Sequence, residues 1–147
     1  MKINKLPYSE FVSIYSKVPR LCVEVVLLTD GGVVLTKRSI EPLLGWWHLP
    51  GGTVLYNETL EHAVKRVAKE ELGVNVKIEK MLGYIEYLKE QGASGLGWTI
   101  SMAFLCNKKS GVLRGSEQGE IFKVFKKTLP SKIISSQKKF LLKNKII

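Results

Sequence analysis

The chain has 147 residues, 45% apolar and 24% charged, which suits one folded domain with a single core. A formal net charge of +10 favours an anionic partner such as a nucleotide, a nucleic acid or a phosphorylated metabolite. No apolar run reaches the roughly 18 residues a spanning helix needs, and "MKINK" at the start lacks the apolar stretch of a secretory signal, so no membrane span and a cytoplasmic setting are expected.

The first element is a helix over residues 8–18, with Phe11, Ile14 and Tyr15 at helical spacing behind a cap at Ser9 and a stop at Pro19. "RLCVEVVLLT" follows as a buried strand, Asp30-Gly31-Gly32 as a hairpin turn and "VVLTKR" as the return strand. Residues 39–46 form a loop, and "WWHLPGG" leads into a helix from about Thr59 to Leu72 that Gly73 terminates. "VNVKIEKMLGYIEYLKE" is a long strand region bent at Gly83. "QGASGLG" is a connection, "WTISMAFLCN" a strand antiparallel to its predecessor, "KKSGVLRGSEQGE" a polar loop and "IFKVFKK" a last strand. A C-terminal helix over residues 131–144 opens after Pro130, with Ile133, Ile134, Phe140 and Leu141 on its apolar face. There is no repeat or linker, so residues 1–147 read as a single α+β domain.

Cys22 and Cys106 lie in strand-like runs without Cys-x-x-Cys or Cys/His metal spacing, which predicts two buried free thiols in a reducing compartment. Eight lysines from Lys123 to Lys145 load the last quarter. With no arginine and only Phe122, Phe125 and Phe140 among them, they read as a solvated face, and nucleic acid is not the expected partner.

The helix after the glycine pair poses a problem. At 100° per residue Leu60, Val64 and Val67 share one apolar face, and Glu71 lies on that same face one turn beyond Val67. A buried carboxylate without a compensating charge is costly. Glu70 points toward the face that carries Arg66. Carboxylates beside bare backbone carbonyls are hard oxygen ligands, which suit Mg²⁺ or Mn²⁺ better than Zn²⁺. A divalent cation and an arginine beside a glycine turn suggest a polyphosphate site.

Gly52, Glu58, Arg66, Glu70, Glu71, Gly73 and Val74 stand at spacings that resemble the Nudix box, G-x5-E-x7-R-E-U-x-E-E-x-G-U, where U is bulky and apolar. Ala68 is a weak match at the first U, and Val67 replaces the family's glutamate after the arginine. "LPGG" preceded by Trp47, and the hairpin at Asp30-Gly31-Gly32, extend the resemblance to roughly residues 20–126. It implies a Nudix-type α/β/α sandwich around a central mixed β-sheet, with the loop-helix-loop at residues 51–74. It also implies Mg²⁺- or Mn²⁺-dependent hydrolysis of a nucleoside diphosphate linked to another moiety.

The chain most resembles the GDP-mannose mannosyl hydrolase subgroup, through the N-terminal helix, "KRSIEPLLGWWHLPGG", "ETLE" and the Glu117-Gln118 dipeptide. Members of that subgroup attack the sugar carbon rather than phosphorus. Carried over residue by residue, the metal ligands would be Gly51 through its carbonyl, Glu70, Glu71 and Gln118. Arg66, helped by Glu58, would orient the carboxylates, and Arg38 would contact the diphosphate or the departing nucleotide. The subgroup's histidine base falls at Gly119 here, so Glu120 is the expected substitute. An arginine after the glycine pair is Thr53, and a first-strand aspartate falls at or beside Val23, with Glu24 the nearest acid. His48 sits on a strand leading to the site and His62 on the helix's solvated side. A homodimer through the N-terminal helix is compatible with the resemblance. The alternative reading is a catalytically degenerate domain that binds nucleotide or RNA.

Overall fold

In a computed structural model, residues 4–41, 43–88, 98–117 and 119–147 are described. The element order is α1 (Tyr8–Tyr15), β1 (Arg20–Thr29), β2 (Gly32–Lys37), β3 (Trp47–His48), β4 (Gly51–Thr53), α2 (Leu60–Leu72), β5 (Val74–Tyr87), β6 (Thr99–Gly111), β7 (Ile121–Phe125) and α3 (Ser135–Lys143). The sheet runs β3-β2-β1-β6-β5, with β4 added to β1 and β7 to β2. Among the named strands β1 and β6 pair in parallel and the other pairs are antiparallel, so the sheet is mixed as expected.

β1 is buried on both faces, which is why it reads as a nearly continuous apolar run. Val23, Val25 and Leu27 pack under α2 with Val64, Val67, Ala68 and Leu72. Val26 joins Leu35, Leu49, Ile133 and Leu141 on the opposite face, under α3. β6 occupies one whole edge of β1, from Arg20 to Leu28. On the other edge β2 pairs only at Leu28↔Val33 and Thr29↔Gly32 before going on to β3, and β4 takes the vacated stretch Cys22–Glu24. The sheet therefore splays at Pro50-Gly51.

Several element boundaries differ from the sequence reading; β6, for one, runs on to Gly111 through residues 108–111, which read as the start of a polar loop, because they continue the pairing with β5. α1 ends at Tyr15, and its N-cap is Pro7 with no side-chain cap, where a cap at Ser9 and an end near residue 18 were expected. α3 begins at Ser135 because the segment before it adds to β3: Trp47 N donates to the Lys132 carbonyl at 2.7 Å and Ile134 N to the Trp47 carbonyl at 3.2 Å. Gly51–Thr53 is a strand, since backbone pairing with β1 compensates for the poor strand propensity of two glycines. The bend in β5 falls where a register shift between Met81 and Gly83 meets a positive φ of 144° at Gly83. The expected connection at residues 91–97 lies outside the described residues. Both cysteines are buried and free.

Candidate active site

α2 is fixed at both ends by local chemistry. The Thr59 side chain accepts from the His62 N–H at 3.1 Å, and Gly73 closes the helix in the left-handed region at φ 71°. Between those caps the apolar stripe is buried, which sets the azimuth of every other side chain. Glu71, on the stripe's extension, is half-buried.

Glu58 and Arg66 form the rigid part of the site. The Glu58 carboxylate, whose side chain is inaccessible to solvent, accepts from Arg66 Nε at 2.7 Å, an Arg66 terminal nitrogen at 2.9 Å and the Leu55 N–H at 3.0 Å. Burial would raise its pKa, but the hydrogen bonds from Arg66, Leu55 and His62 outweigh that and hold it down at about 2. Arg66 also donates to the Thr53 carbonyl at 2.8 Å and to Glu70 Oε2 at 3.2 Å. One guanidinium thus ties the loop after β4 to the acidic end of α2. His62, expected in solvent, is half-exposed but places Nδ1 2.7 Å from Glu58.

A cleft of about 1090 Å³ opens where the sheet splays; its lining includes Glu24, Arg38, Gly51, Arg66, Glu70 and Glu71. Glu71 makes no ion pair among the described residues, and its hydrogen bond comes from Ser116 Oγ at 3.1 Å. Burial pushes its carboxyl above the usual range, against that hydrogen bond and the charges of Lys5 and Arg38. Pro50 and Val54 bond to β1, through Val25 N to the Pro50 carbonyl at 2.8 Å and Val54 N to the Leu21 carbonyl at 3.0 Å. By strand alternation the Gly51 carbonyl points to the open edge of β4. An anionic side chain plus a bare carbonyl on a wetted cleft suit a hard divalent cation that keeps several waters. Among the described residues no three acidic, histidine or cysteine side chains converge on one point, so such an ion would rely on main-chain and water oxygens. Gln118 lies outside the described residues.

The remaining predicted residues are placed as follows. Arg38 lines the cleft, half-buried, and burial lowers its pKa while Glu41 and Glu71 oppose that. His48 lines the cleft too; Nδ1 donates to the Leu49 carbonyl at 2.8 Å, and burial of the ring pushes its pKa to about 4, so it is neutral. Glu120 is exposed and not among the cleft-lining residues. Gly119 is buried against Thr36, where an added Cβ would sit 3.1 Å from the Thr36 Cβ, so a histidine there needs the strand to give way.

Glu24, which the sequence named only as the acid nearest the subgroup's first-strand aspartate, is a further residue of the cleft. It is 6% exposed, lies opposite Gly51 in the β1–β4 pair, and accepts from the Tyr87 hydroxyl at 2.9 Å. Gln137 of α3 donates to that hydroxyl at 2.9 Å and accepts from Leu49 N at 2.6 Å. Burial raises the Glu24 carboxyl to about 8, against the Tyr87 and Ser101 hydroxyls and the charge of Arg20. The available signal was an acid inside an otherwise apolar strand.

A mixed sheet between two helical layers, with a glycine strand facing the acidic end of an arginine-braced helix, defines an α/β/α domain. The chain matches the NUDIX domain family over residues 18–141 and belongs to that family. It is 48% identical over 84 residues to the low-salt glycan biosynthesis protein Agl8 of Haloferax volcanii, covering 57% of this chain and 54% of that protein. It is 31% identical over 102 residues to an ADP-ribose pyrophosphatase of Methanocaldococcus jannaschii, covering 69% and 59% respectively. The chain thus spans between half and two thirds of the length of these curated relatives. Among solved structures, the MutT NUDIX hydrolase of Burkholderia pseudomallei superposes with TM-score 0.76 at 27% identity, covering 85% of this chain and 97% of that one.

Proposed function

We propose that the chain is a divalent-cation-dependent hydrolase of nucleoside diphosphates linked to a second moiety, with a nucleotide sugar such as GDP-mannose as substrate. The observation that carries this is Glu71: a half-buried carboxylate without an ion pair among the described residues, on the wall of a cleft that also holds Gly51, Glu70 and Arg38. The names of two relatives support the substrate class, one a glycan biosynthesis protein and the other an ADP-ribose pyrophosphatase.

In this reading Glu71, Glu70 and the Gly51 carbonyl hold Mg²⁺ or Mn²⁺, with Gln118 as a further ligand. Bound there, the ion would neutralise diphosphate charge and favour ionisation of a water. Arg66 orients Glu70 and, through Thr53 and Glu58, the end of β4 and the loop after it. Arg38 binds the diphosphate. Proton transfer is assigned to Glu24 in preference to Glu120, because Glu24 lines the cleft. The two buried thiols support a reducing, cytoplasmic location, and a homodimer through α1 belongs to the same proposal.

The test is a panel of nucleotide sugars, dinucleotides and nucleoside triphosphates at millimolar Mg²⁺, scored for phosphate and reducing-sugar release. Glu71→Gln is expected to lower turnover at least about a hundredfold. Its folded stability should be equal or higher at neutral pH, because the ionised side chain is the form that burial disfavours. Reaction in ¹⁸O water then separates attack at carbon, which labels the sugar, from attack at phosphorus. No turnover on any member of the panel overturns the proposal. Nucleotide or RNA binding without hydrolysis would instead support the degenerate reading, which Val67 favours: it is buried in the core where the family pattern has an acid.

A further inference from the structure

The N-terminal segment is not part of the sheet, yet it forms a wall of the cleft. Asn4, Lys5 and Leu6 line it together with Arg38, Glu70 and Glu71. α1, which follows them, has no buried residue. Its attachments include the Arg20 guanidinium, 5.5 Å from the centre of the Phe11 ring.

Lys5 Nζ sits 3.2 Å from Glu70 Oε2, in a pair whose side chains are 65% and 42% exposed. That carboxylate does not depend on Lys5, because Arg66 donates to the same oxygen at 3.2 Å. An exposed pair of this kind is weak and easily exchanged. Lys5, from the N-terminal segment, and Arg38, just after β2, thus flank the same pair of carboxylates on the cleft wall.

We infer that Lys5 is a phosphate-binding residue, contributed to the cleft by the N-terminal segment and released from Glu70 when a cation and a polyphosphate occupy it. The inference rests on the hydrolase reading above. A divalent cation held by Glu70 and Glu71 would neutralise the charge that attracts the ammonium. Lys5 then loses its anionic partner and keeps its place on the cleft wall, where a phosphate oxygen is the ligand that suits it. Because α1 has no buried residue, the segment has little packing to oppose that exchange.

The experiment compares the full chain with Lys5→Gln and Lys5→Arg by calorimetry, using inorganic pyrophosphate with Mg²⁺, Mg²⁺ alone, and adenosine. Lys5→Gln is expected to weaken magnesium pyrophosphate binding about tenfold. It should leave adenosine binding unchanged and bind Mg²⁺ alone as tightly as the parent or tighter. Lys5→Arg should restore the pyrophosphate affinity. In turnover assays the loss should appear in KM, with kcat kept within about twofold. Pyrophosphate affinity within twofold of the parent in Lys5→Gln, with the parent binding and active, overturns this inference alone. Equal weakening for adenosine and pyrophosphate also overturns it, since that marks a loss of segment packing. A parent that neither binds magnesium pyrophosphate nor turns over any nucleotide removes the hydrolase reading and this inference with it.

Discussion

Replacing Glu58 by glutamine tests the brace that holds the candidate site. The carboxylate is shut off from solvent and receives two hydrogen bonds from Arg66, one from Leu55 N and one from His62. Its pKa is about 2 folded against 4.5 for the ordinary side chain, and each unit of difference is worth about 1.4 kcal/mol, so the ionised form contributes about 3 kcal/mol at neutral pH. That agrees with the roughly 3–5 kcal/mol lost when one partner of a buried pair is removed. Because the folded pKa is depressed, this stability is fully present above 4.5 and is lost as pH falls toward about 2. Urea unfolding at neutral pH and near pH 3 should therefore show the gap between parent and Glu58→Gln shrinking by about 2 kcal/mol on acidification. A gap that stays constant over that range would refute an ionised Glu58 held by Arg66.

Two further outcomes are expected. Glu24 has the opposite sign: its folded pKa is raised to about 8, so the parent loses stability as pH rises from 4.5 through 8, and Glu24→Gln should gain on the parent by at least about 1 kcal/mol between mildly acidic and alkaline pH, measured by denaturant midpoints. Gly51→Ala places a methyl group against the Glu24 carboxylate and 2.9 Å from the Val23 carbonyl, backbone that cannot step aside. It should destabilise the fold by about 1–3 kcal/mol and abolish nucleotide turnover together, read by thermal unfolding and the substrate panel.

The helix and its brace were legible in the chain because their geometry is local. Glu58, Arg66, Glu70 and Glu71 lie on or beside one helix, and its turn converts their spacing into directions before any tertiary contact forms. The apolar stripe then had one way to pack, which left Glu71 on the wall of the cleft. The buried run of β1 and the glycine stop at Gly73 were readable for the same reason.

Other features depended on closure of the fold. Glu24 looked like an acid in a strand, and its place in the site came from Tyr87, 63 residues away, and Gln137 of the last helix. The start of α3 was moved by hydrogen bonds to β3, which offered the backbone at 132–134 more than another helical turn would. Lys5 met Glu70 across 65 positions of chain. Such meetings carry no periodic trace in sequence, because they depend on which surfaces the completed sheet brings together.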